Sequence, residues 1–216
     1  MKKANSMVVA VMVGLAFMVL SFIPVSAEPG HGKNKNSDWV NLPQTGQTYS
    51  EQPGDDGDLQ MGVEWPVPRF TDNGDGTVTD NLTRLVWLRN ADCFGIATWI
   101  EALSHSNTLQ TGLCGLSDYS HQGDWRLPNR NEMLSLIDIN YLTGVDKALP
   151  AGHPFINVRE DYYWTSSTAS YNFAASAWHV SVNDGRVIPD GKTNNMINFA
   201  WPVRSEREHH VEKSRK

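Results

Sequence analysis

The chain has 216 residues, of which 40% are hydrophobic, and it carries a formal net charge of −6. The charge is concentrated in residues 28–203, where 21 Asp and Glu stand against 11 Lys and Arg, a net charge of −10. A surface of this kind repels phosphate and sulfate groups, because binding them requires clustered Lys and Arg. The composition therefore excludes nucleic acid as an expected partner.

The first 27 residues have the pattern of a secretory signal peptide. Two lysines precede an apolar run from Met7 to Ile23, and a small-residue cleavage site ends at Ala27. A retained membrane anchor is the alternative, although Pro24 interrupts the run at about the length needed to span a bilayer. We expect cleavage after Ala27, no stable membrane insertion afterwards, and a protein that is secreted, periplasmic or at the bacterial cell surface.

Composition divides the rest of the chain into three parts. Residues 28–58 are rich in Gly, Pro, Asn, Asp and Ser and poor in large apolar side chains, which predicts a disordered or loosely packed arm. Residues 59–204 contain the apolar and aromatic runs of one domain with a single hydrophobic core. Residues 205–216 are a charged tail.

The domain begins with a predicted hairpin. The sequence Asn73-Gly74-Asp75-Gly76 lies between β-favouring runs, which is typical of a tight turn. Its aspartates also invite a calcium-loop interpretation, but an EF-hand frame would require acidic ligands where Thr71 and Leu82 stand. The hairpin is therefore the preferred interpretation.

The two cysteines of the chain are Cys93 and Cys114. In an exported protein, an isolated pair that encloses about twenty residues predicts a structural disulfide. A redox site would normally place two cysteines closer together, as C-x-x-C.

Two helices are predicted after the hairpin. The first follows Thr98, a suitable N-cap. Its apolar stripe comprises Trp99, Ala102, Leu103, Ser106 and Leu109. The second begins after Pro128, with Asn129 and Glu132 as a capping pair. Its buried side chains are expected to be Met133, Leu134, Leu136 and Ile137.

The remainder of the chain is predicted to form strands. In the run SAWHVSVNDGRVI, the apolar Trp178, Val180 and Val182 alternate with polar side chains before an Asn-Asp-Gly turn. This alternation predicts a half-buried hairpin with His179 and Ser181 on its polar face. The order of elements indicates an α+β domain with a twisted antiparallel sheet and two helices.

Several ordered motifs together resemble the Lcl C-terminal domain family, a group of exported bacterial domains. They are PRFTDNGDGTVTDNLTRLVW, GDWRLPNRNEMLSLID, HPFINVREDYYWTSST and FAWPVR, and the resemblance covers about residues 42–204. It implies a C-type-lectin-like fold. The family is named after the terminal domain of a collagen-like adhesin that binds sulfated glycans. Because this chain has no Gly-x-y stalk and an acidic body, we carry over the fold and not that sugar preference.

Conspicuous residues of these motifs are assigned structural roles. They are Asp124, Trp125, Arg126, Pro128, Trp164, Trp178 and Trp201. We assign no catalytic residue, no metal site and no cofactor, because no nucleophile elbow, phosphate loop or metal-ligand spacing is present. Calcium at the turn Asn183-Asp184 is the alternative to a plain hairpin turn there.

The late polar loops are the predicted ligand-binding surface, because aromatic rings beside amide groups suit a neutral sugar or a protein. The candidate residues are Tyr171, Asn172, Phe173, Lys192, Asn194 and Asn195. We expect a non-catalytic binding module that recognises a glycan or a surface protein, for instance in adhesion. The alternatives are a structural subunit of a surface assembly, or an enzyme acting on envelope or extracellular polymers. The enzyme would require Asp124, Arg126 and His153 to meet in one open cleft.

Overall fold

The structure is a computed structural model, which describes residues 42–140, 148–170, 175–192 and 197–206. The predicted signal peptide, residues 28–41 of the predicted arm and residues 207–216 of the predicted tail lie outside the described residues. Within the described ranges, helices and strands combine into an α+β domain, as predicted. None of the helices in these ranges is long and apolar enough to cross a membrane.

The described elements are short helices and two sheets. The helices are α1 (Asp56–Leu59), α2 (Trp99–Thr108) and α3 (Arg130–Leu134). The strands are β1 (Phe70–Asp72), β2 (Thr77–Asp80), β3 (Leu85–Leu88), β4 (Ile96–Ala97), β5 (Tyr162–Ala169), β6 (Ser176–Ser181), β7 (Val187–Gly191), β8 (Asn198–Phe199) and β9 (Val203–Ser205). The first sheet has the order β1-β2-β3-β9, and the second has the order β4-β8-β5-β6-β7.

The first sheet contains the predicted hairpin. Strands β1 and β2 pair antiparallel around the Asn-Gly-Asp-Gly turn, so this prediction is confirmed. Gly76 has a φ of +87°, and an added Cβ there would collide with the carbonyl of Gly115. The turn therefore requires a glycine for both its backbone conformation and its close packing.

Both predicted helices are present, and each begins with the predicted cap. Thr98 and Glu101 form a complete capping box at the start of α2, and Asn129 and Glu132 form another at the start of α3. Helix α3 is shorter than expected, since it ends at Leu134. Beyond it the backbone N–H of Asp138 bonds to the carbonyl of Ala148, 3.1 Å away, instead of continuing the helix.

The prediction of one twisted antiparallel sheet is wrong, because the strands divide between two sheets. The chain crosses from the first sheet to the second between β3 and β4, and it returns between β8 and β9 around the fully buried Trp201. The indole N–H of Trp201 donates to the carbonyl of Leu88, at 2.7 Å. The second sheet also includes one parallel pairing, in which Tyr163 of β5 lies beside Phe199 of β8.

Strand β6 lies between two apolar clusters, so the predicted half-buried pattern is also wrong. Val180 belongs to the larger cluster, whereas Ala177 belongs to a smaller one that includes Ala102 of α2. Because both faces of the strand are covered, His179 and Ser181 are each only 4% exposed. Trp178, expected to be buried, is instead the most exposed residue of the strand.

The described part of the predicted arm, residues 42–58, is held against the domain. The carbonyl of Thr45 accepts from the N–H of Ile139 at 3.1 Å, and the side chains of Thr48 and Asn140 bond at 3.0 Å. Gly46 lies against the Asp138 carboxylate and leaves no space for a side chain. These polar contacts fix a segment whose composition alone predicted loose packing.

Candidate functional site

The predicted disulfide between Cys93 and Cys114 is present. The bond joins the segment before β4 to the loop that follows α2, and both cysteines pack on the larger apolar cluster. A loop of this length stabilises the folded state by roughly 3 kcal/mol, through the restriction of the unfolded chain. The two thiols are thereby occupied in a covalent link within the domain.

The stretch Asp124 to Pro128 is built into the domain through its backbone. Arg126 and Val203 exchange two backbone hydrogen bonds, of 3.0 and 2.9 Å. Trp125 is 1% exposed and lies beneath the guanidinium of Arg204. The carbonyl of Pro128 accepts from the backbone N–H of Ser166. The stretch thus connects the first sheet to β5 of the second.

The Arg126 side chain binds the helix cap. Its guanidinium donates two hydrogen bonds to Glu132, of 2.7 and 2.6 Å. Burial favours the neutral form of Glu132, but Arg126 and the N–H of Asn129 prevail and lower the pKa of this carboxyl. The hydrogen bonds that Arg126 donates to Glu132 in turn raise the pKa of Arg126. This pair fixes the start of α3.

Asp124, Arg126 and His153, the residues that the enzyme alternative would require, each contact different neighbours. Asp124 accepts from the backbone N–H of His121, and Arg126 binds Glu132. His153 lies against the ring of Phe155 and lines a cleft formed by residues 65–70 and 150–153. Neither Asp124 nor Arg126 lines that cleft.

The remaining tryptophans of the structural group differ in their surroundings. Trp164 is fully buried and donates its indole N–H to the carbonyl of Ala97, at 2.9 Å. Trp178 is only partly buried, and the guanidinium of Arg130 lies 5.3 Å from its ring centroid. Trp178 therefore contributes to a surface near the start of α3 rather than to a closed core.

Of the predicted ligand-binding residues, Lys192 is the one that the structure describes. Tyr171, Asn172, Phe173, Asn194 and Asn195 lie outside the described residues. The ammonium of Lys192 donates to the hydroxyl of Thr168 at 2.7 Å and lies 4.1 Å from the centroid of the Trp99 ring. The three residues come from the end of β5, the end of β7 and the start of α2, and we call them the Lys192 cluster.

The Trp99 ring has a fixed orientation in this cluster. Its indole N–H donates to the carbonyl of Thr165 at 2.9 Å, and its backbone begins α2 immediately after the Thr98 cap. Trp99 is partly exposed. A fixed aromatic face beside an ammonium and a hydroxyl can offer both stacking and hydrogen bonding to a ligand.

Sequence reasoning assigned His179 to a polar strand face and missed its burial. Its ring stacks on Tyr162, with centroids 4.3 Å apart, and its Nδ1 lies 3.9 Å from Asp190. Neither ring nitrogen has a hydrogen-bond partner within the usual distance and angle limits among the described residues. Burial lowers the pKa of His179, while Asp190 and the nearby amide of Asn198 partly offset the shift. Tyr162 and Trp164, which lie against the His179 ring, are the aromatic residues of the sequence that could have indicated its burial.

In the Asn183-Asp184 turn, the Asp184 carboxylate is bound by Arg186, two residues further along the chain. Asp184 accepts from the backbone N–H of Arg186 at 3.2 Å and from its Nε at 2.6 Å. Among the residues that the structure describes, no group of three or more His, Cys, Asp or Glu side chains could hold a metal ion. The residues of the turn therefore act within the hairpin itself.

Comparison with known proteins assigns the chain to a family. No curated protein matches it. A family model described as the Lcl C-terminal domain matches residues 76–204, which is more than half of the chain. This range runs from the turn of the first hairpin into β9, so it includes the second sheet, the first sheet apart from β1, the disulfide and the Lys192 cluster. The chain is a member of the Lcl C-terminal domain family.

Proposed function

We propose that this chain is an exported, non-catalytic binding module that recognises a neutral glycan or a protein at the cell surface or in the envelope. The observation that carries the proposal is the Lys192 cluster, in which Trp99, Thr168 and Lys192 combine an aromatic ring with two polar groups. Both segments that contain the other candidate residues adjoin it in sequence, after β5 and after β7.

The chemistry of the cluster suits an uncharged polar ligand. Lys192 donates one of its three N–H groups to Thr168 and makes no further hydrogen bond through its ammonium to the described residues. The Trp99 ring is held before any ligand arrives, which reduces the entropy lost on binding. The net charge of −10 over residues 28–203 disfavours a sulfated or phosphorylated ligand. A neutral sugar or a polar protein surface fits these constraints.

The C-type-lectin-like fold and export are parts of the same proposal. Family membership supports the fold, together with the α+β content and the two capped helices. Export is supported by the signal-peptide pattern of residues 1–27 and by the disulfide, since disulfides persist in oxidising compartments.

The proposal is tested by binding of the protein recovered after export. A glycan array and a pull-down from the envelope of the host supply the candidate ligands. We expect the ligand found to bind at least tenfold more weakly to Lys192→Ala and to Asn194→Ala/Asn195→Ala. Arg186→Ala is the matched control, because it also removes one exposed positive charge but lies at the opposite end of the β6–β7 hairpin.

Two results would contradict the proposal. One is binding to nothing in either screen. The other is a ligand whose affinity falls equally with Lys192→Ala and Arg186→Ala, which would indicate a general charge effect rather than the Lys192 cluster. Export is tested separately, by sequencing the N-terminus of the recovered protein, which we expect to begin at Glu28.

A further inference from the structure

A cavity lies at the end of the β6–β7 hairpin remote from the Lys192 cluster. Its volume is about 390 Å³, within the range of small-molecule sites. It is bounded by the chain at 43–45, by the end of α3, by residues 137–139 and 148, and by the turn at 184–185. The cavity is therefore independent of the binding surface proposed above.

Most of the cavity wall is apolar. The apolar lining side chains are Pro43, Leu134, Ile137, Ile139 and Ala148. A molecule that fills this space needs an apolar body, because a polar one would lose its hydrogen bonds to water against these side chains.

The polar side chains Gln44, Thr45 and Ser135 in the wall each donate a hydrogen bond within the protein. Gln44 donates to the carbonyl of Gln60 at 2.6 Å, Thr45 donates to Asp56, and Ser135 donates to the carbonyl of Glu132 at 2.7 Å. The backbone N–H groups of residues 138, 139, 148 and 185 are likewise bonded within the protein. The wall therefore presents few donors to a ligand.

Acceptors remain available in the same wall, and two of them are the carboxylates of Asp138 and Asp184. Asp138 accepts one hydrogen bond from the N–H of Asn140, through Oδ1, and its Oδ2 has no hydrogen bond from the described residues. Asp184 lines the same cavity and is already paired with Arg186. Among the described residues no Lys or Arg lines the cavity, and Arg69, the cation that acts on Asp138 from outside, is bound to Asp80.

The direction of the pKa shift of Asp138 agrees with a carboxylate whose charge the described residues only partly compensate. Burial raises the pKa of this carboxyl, and the N–H of Asn140 and the charge of Arg69 only partly oppose the shift. A positive group in the cavity would restore the balance by favouring the ionised carboxylate.

We propose that this cavity binds a small organic cation, with an apolar body against Ile137 and Ile139 and one ammonium or guanidinium group on Asp138. The assignment goes beyond the proposed recognition of a glycan or protein and uses none of its residues. A free small molecule fits better than a single side chain of a partner, because the volume lies in the range of complete ligands.

The test compares three probes of one shape and different charge on the full chain. They are 2-phenylethylammonium, 2-phenylethanol and 3-phenylpropanoate, titrated at pH 7 while backbone amide NMR shifts are recorded. A charge-assisted hydrogen bond favours the ammonium over the alcohol by roughly tenfold or more, and repulsion excludes the carboxylate. The shifted amides are expected to include Leu134, Ile137 and Ile139.

Two variants test whether the preference for the ammonium probe depends on Asp138. Asp138→Asn keeps an oxygen for the N–H of Asn140 and is expected to bind the ammonium and the alcohol equally. Glu160→Gln, an exposed position outside the cavity, changes the net charge equally and is expected to keep the preference. Equal binding of all three probes to the parent chain, no binding, shifts confined to other residues, or a preference that survives Asp138→Asn would each overturn the proposal. If Asp138→Asn does not fold, the probe comparison and the shift positions decide alone.

Discussion

The two sheets each bury an ionisable side chain, and they do so in different ways. At the first sheet, Arg69 and Asp80 form a two-pronged ion pair of 2.7 and 3.0 Å, and Arg69 also donates to the carbonyl of Ser135 at 2.7 Å. In the second, His179 lies 3.9 Å from Asp190, and its ring nitrogens have no hydrogen-bond partner among the described residues. The first site holds a paired cation, whereas the second favours a neutral ring.

The difference shows what a buried charge requires. The guanidinium of Arg69 has a matched carboxylate and lies over the rings of Trp65 and Phe70, at 4.5 and 5.0 Å. His179 lies among aromatic rings that offer no hydrogen-bond acceptor at its nitrogens. We therefore expect the site of Arg69 and Asp80 to lose stability when one partner of the ion pair is removed. We expect the site of His179 to lose stability when its ring becomes protonated.

The largest expected effect comes from removing one partner of the first site. Asp80→Ala leaves the Arg69 guanidinium buried without its carboxylate, and we expect a loss of about 3–5 kcal/mol in the free energy of unfolding. Chemical denaturation measures it. The control is Arg69→Met/Asp80→Leu, which removes both charges and is expected to recover most of the loss. A loss below about 1 kcal/mol for Asp80→Ala would remove the contrast between the sites.

The second effect is a dependence of stability on pH that arises from His179. The pKa of His179 is lowered from 6.5 in the folded state, so the unfolded chain takes up the proton first as the pH falls. The contribution of the neutral His179 ring to the free energy of unfolding is fully present above pH 6.5. Below that pH it is lost progressively, by up to about 1.4 kcal/mol per pH unit, until the pKa of the folded state is reached. Denaturation between pH 5 and 7 should show a smaller slope for His179→Gln than for the parent. Equal slopes would contradict this interpretation.

The third effect is a gain in stability from replacing His179 with an apolar ring. His179→Phe keeps the stacking on Tyr162 and removes two buried nitrogens that have no hydrogen-bond partner of normal geometry among the described residues, so we expect a gain of about 1 kcal/mol at pH 7. The gain should increase at pH 5, where the parent is weakened. A loss of stability at both pH values would indicate that the ring nitrogens have partners in solution.

The smallest effect is expected for an exposed ion pair that serves as the reference. Arg126 keeps 45% of its side chain exposed although it binds Glu132 at 2.6 Å. Because solvent and salt screen such pairs, Arg126→Met should lower the free energy of unfolding by less than about 1 kcal/mol. The loss should shrink further in 1 M salt. If Arg126→Met lowered the free energy of unfolding as much as Asp80→Ala, the loss would depend on the pairing of the charges and not on their burial.

Local features of the fold were predictable because a few neighbouring residues specify them. The first hairpin follows from a turn of Asn, Asp and Gly, and both helix starts follow from a capping residue with Glu three positions later. The disulfide followed from two cysteines in a chain expected to be exported. Each of these predictions needs no knowledge of distant contacts.

The candidate site was predictable only in part. The polar and aromatic composition of the late loops pointed to Lys192, but Trp99 and Thr168 join it from elements that are distant in sequence. The contacts of His179 likewise come from Tyr162, Trp164 and Asp190, on the neighbouring strands β5 and β7. The composition of a loop shows which chemical groups it can offer to a site. It does not show which residues from other elements will lie beside those groups.

The sequence by itself determined the turns, the helix starts, the cysteine link and the family, because these depend on residue types at short, fixed spacings. The tertiary structure decided the separation into two sheets, the burial of His179, the attachment of residues 42–58 and the cavity around Asp138. Those features arise where segments far apart in the chain pack together, and packing depends on shape and solvent exclusion that no local pattern records.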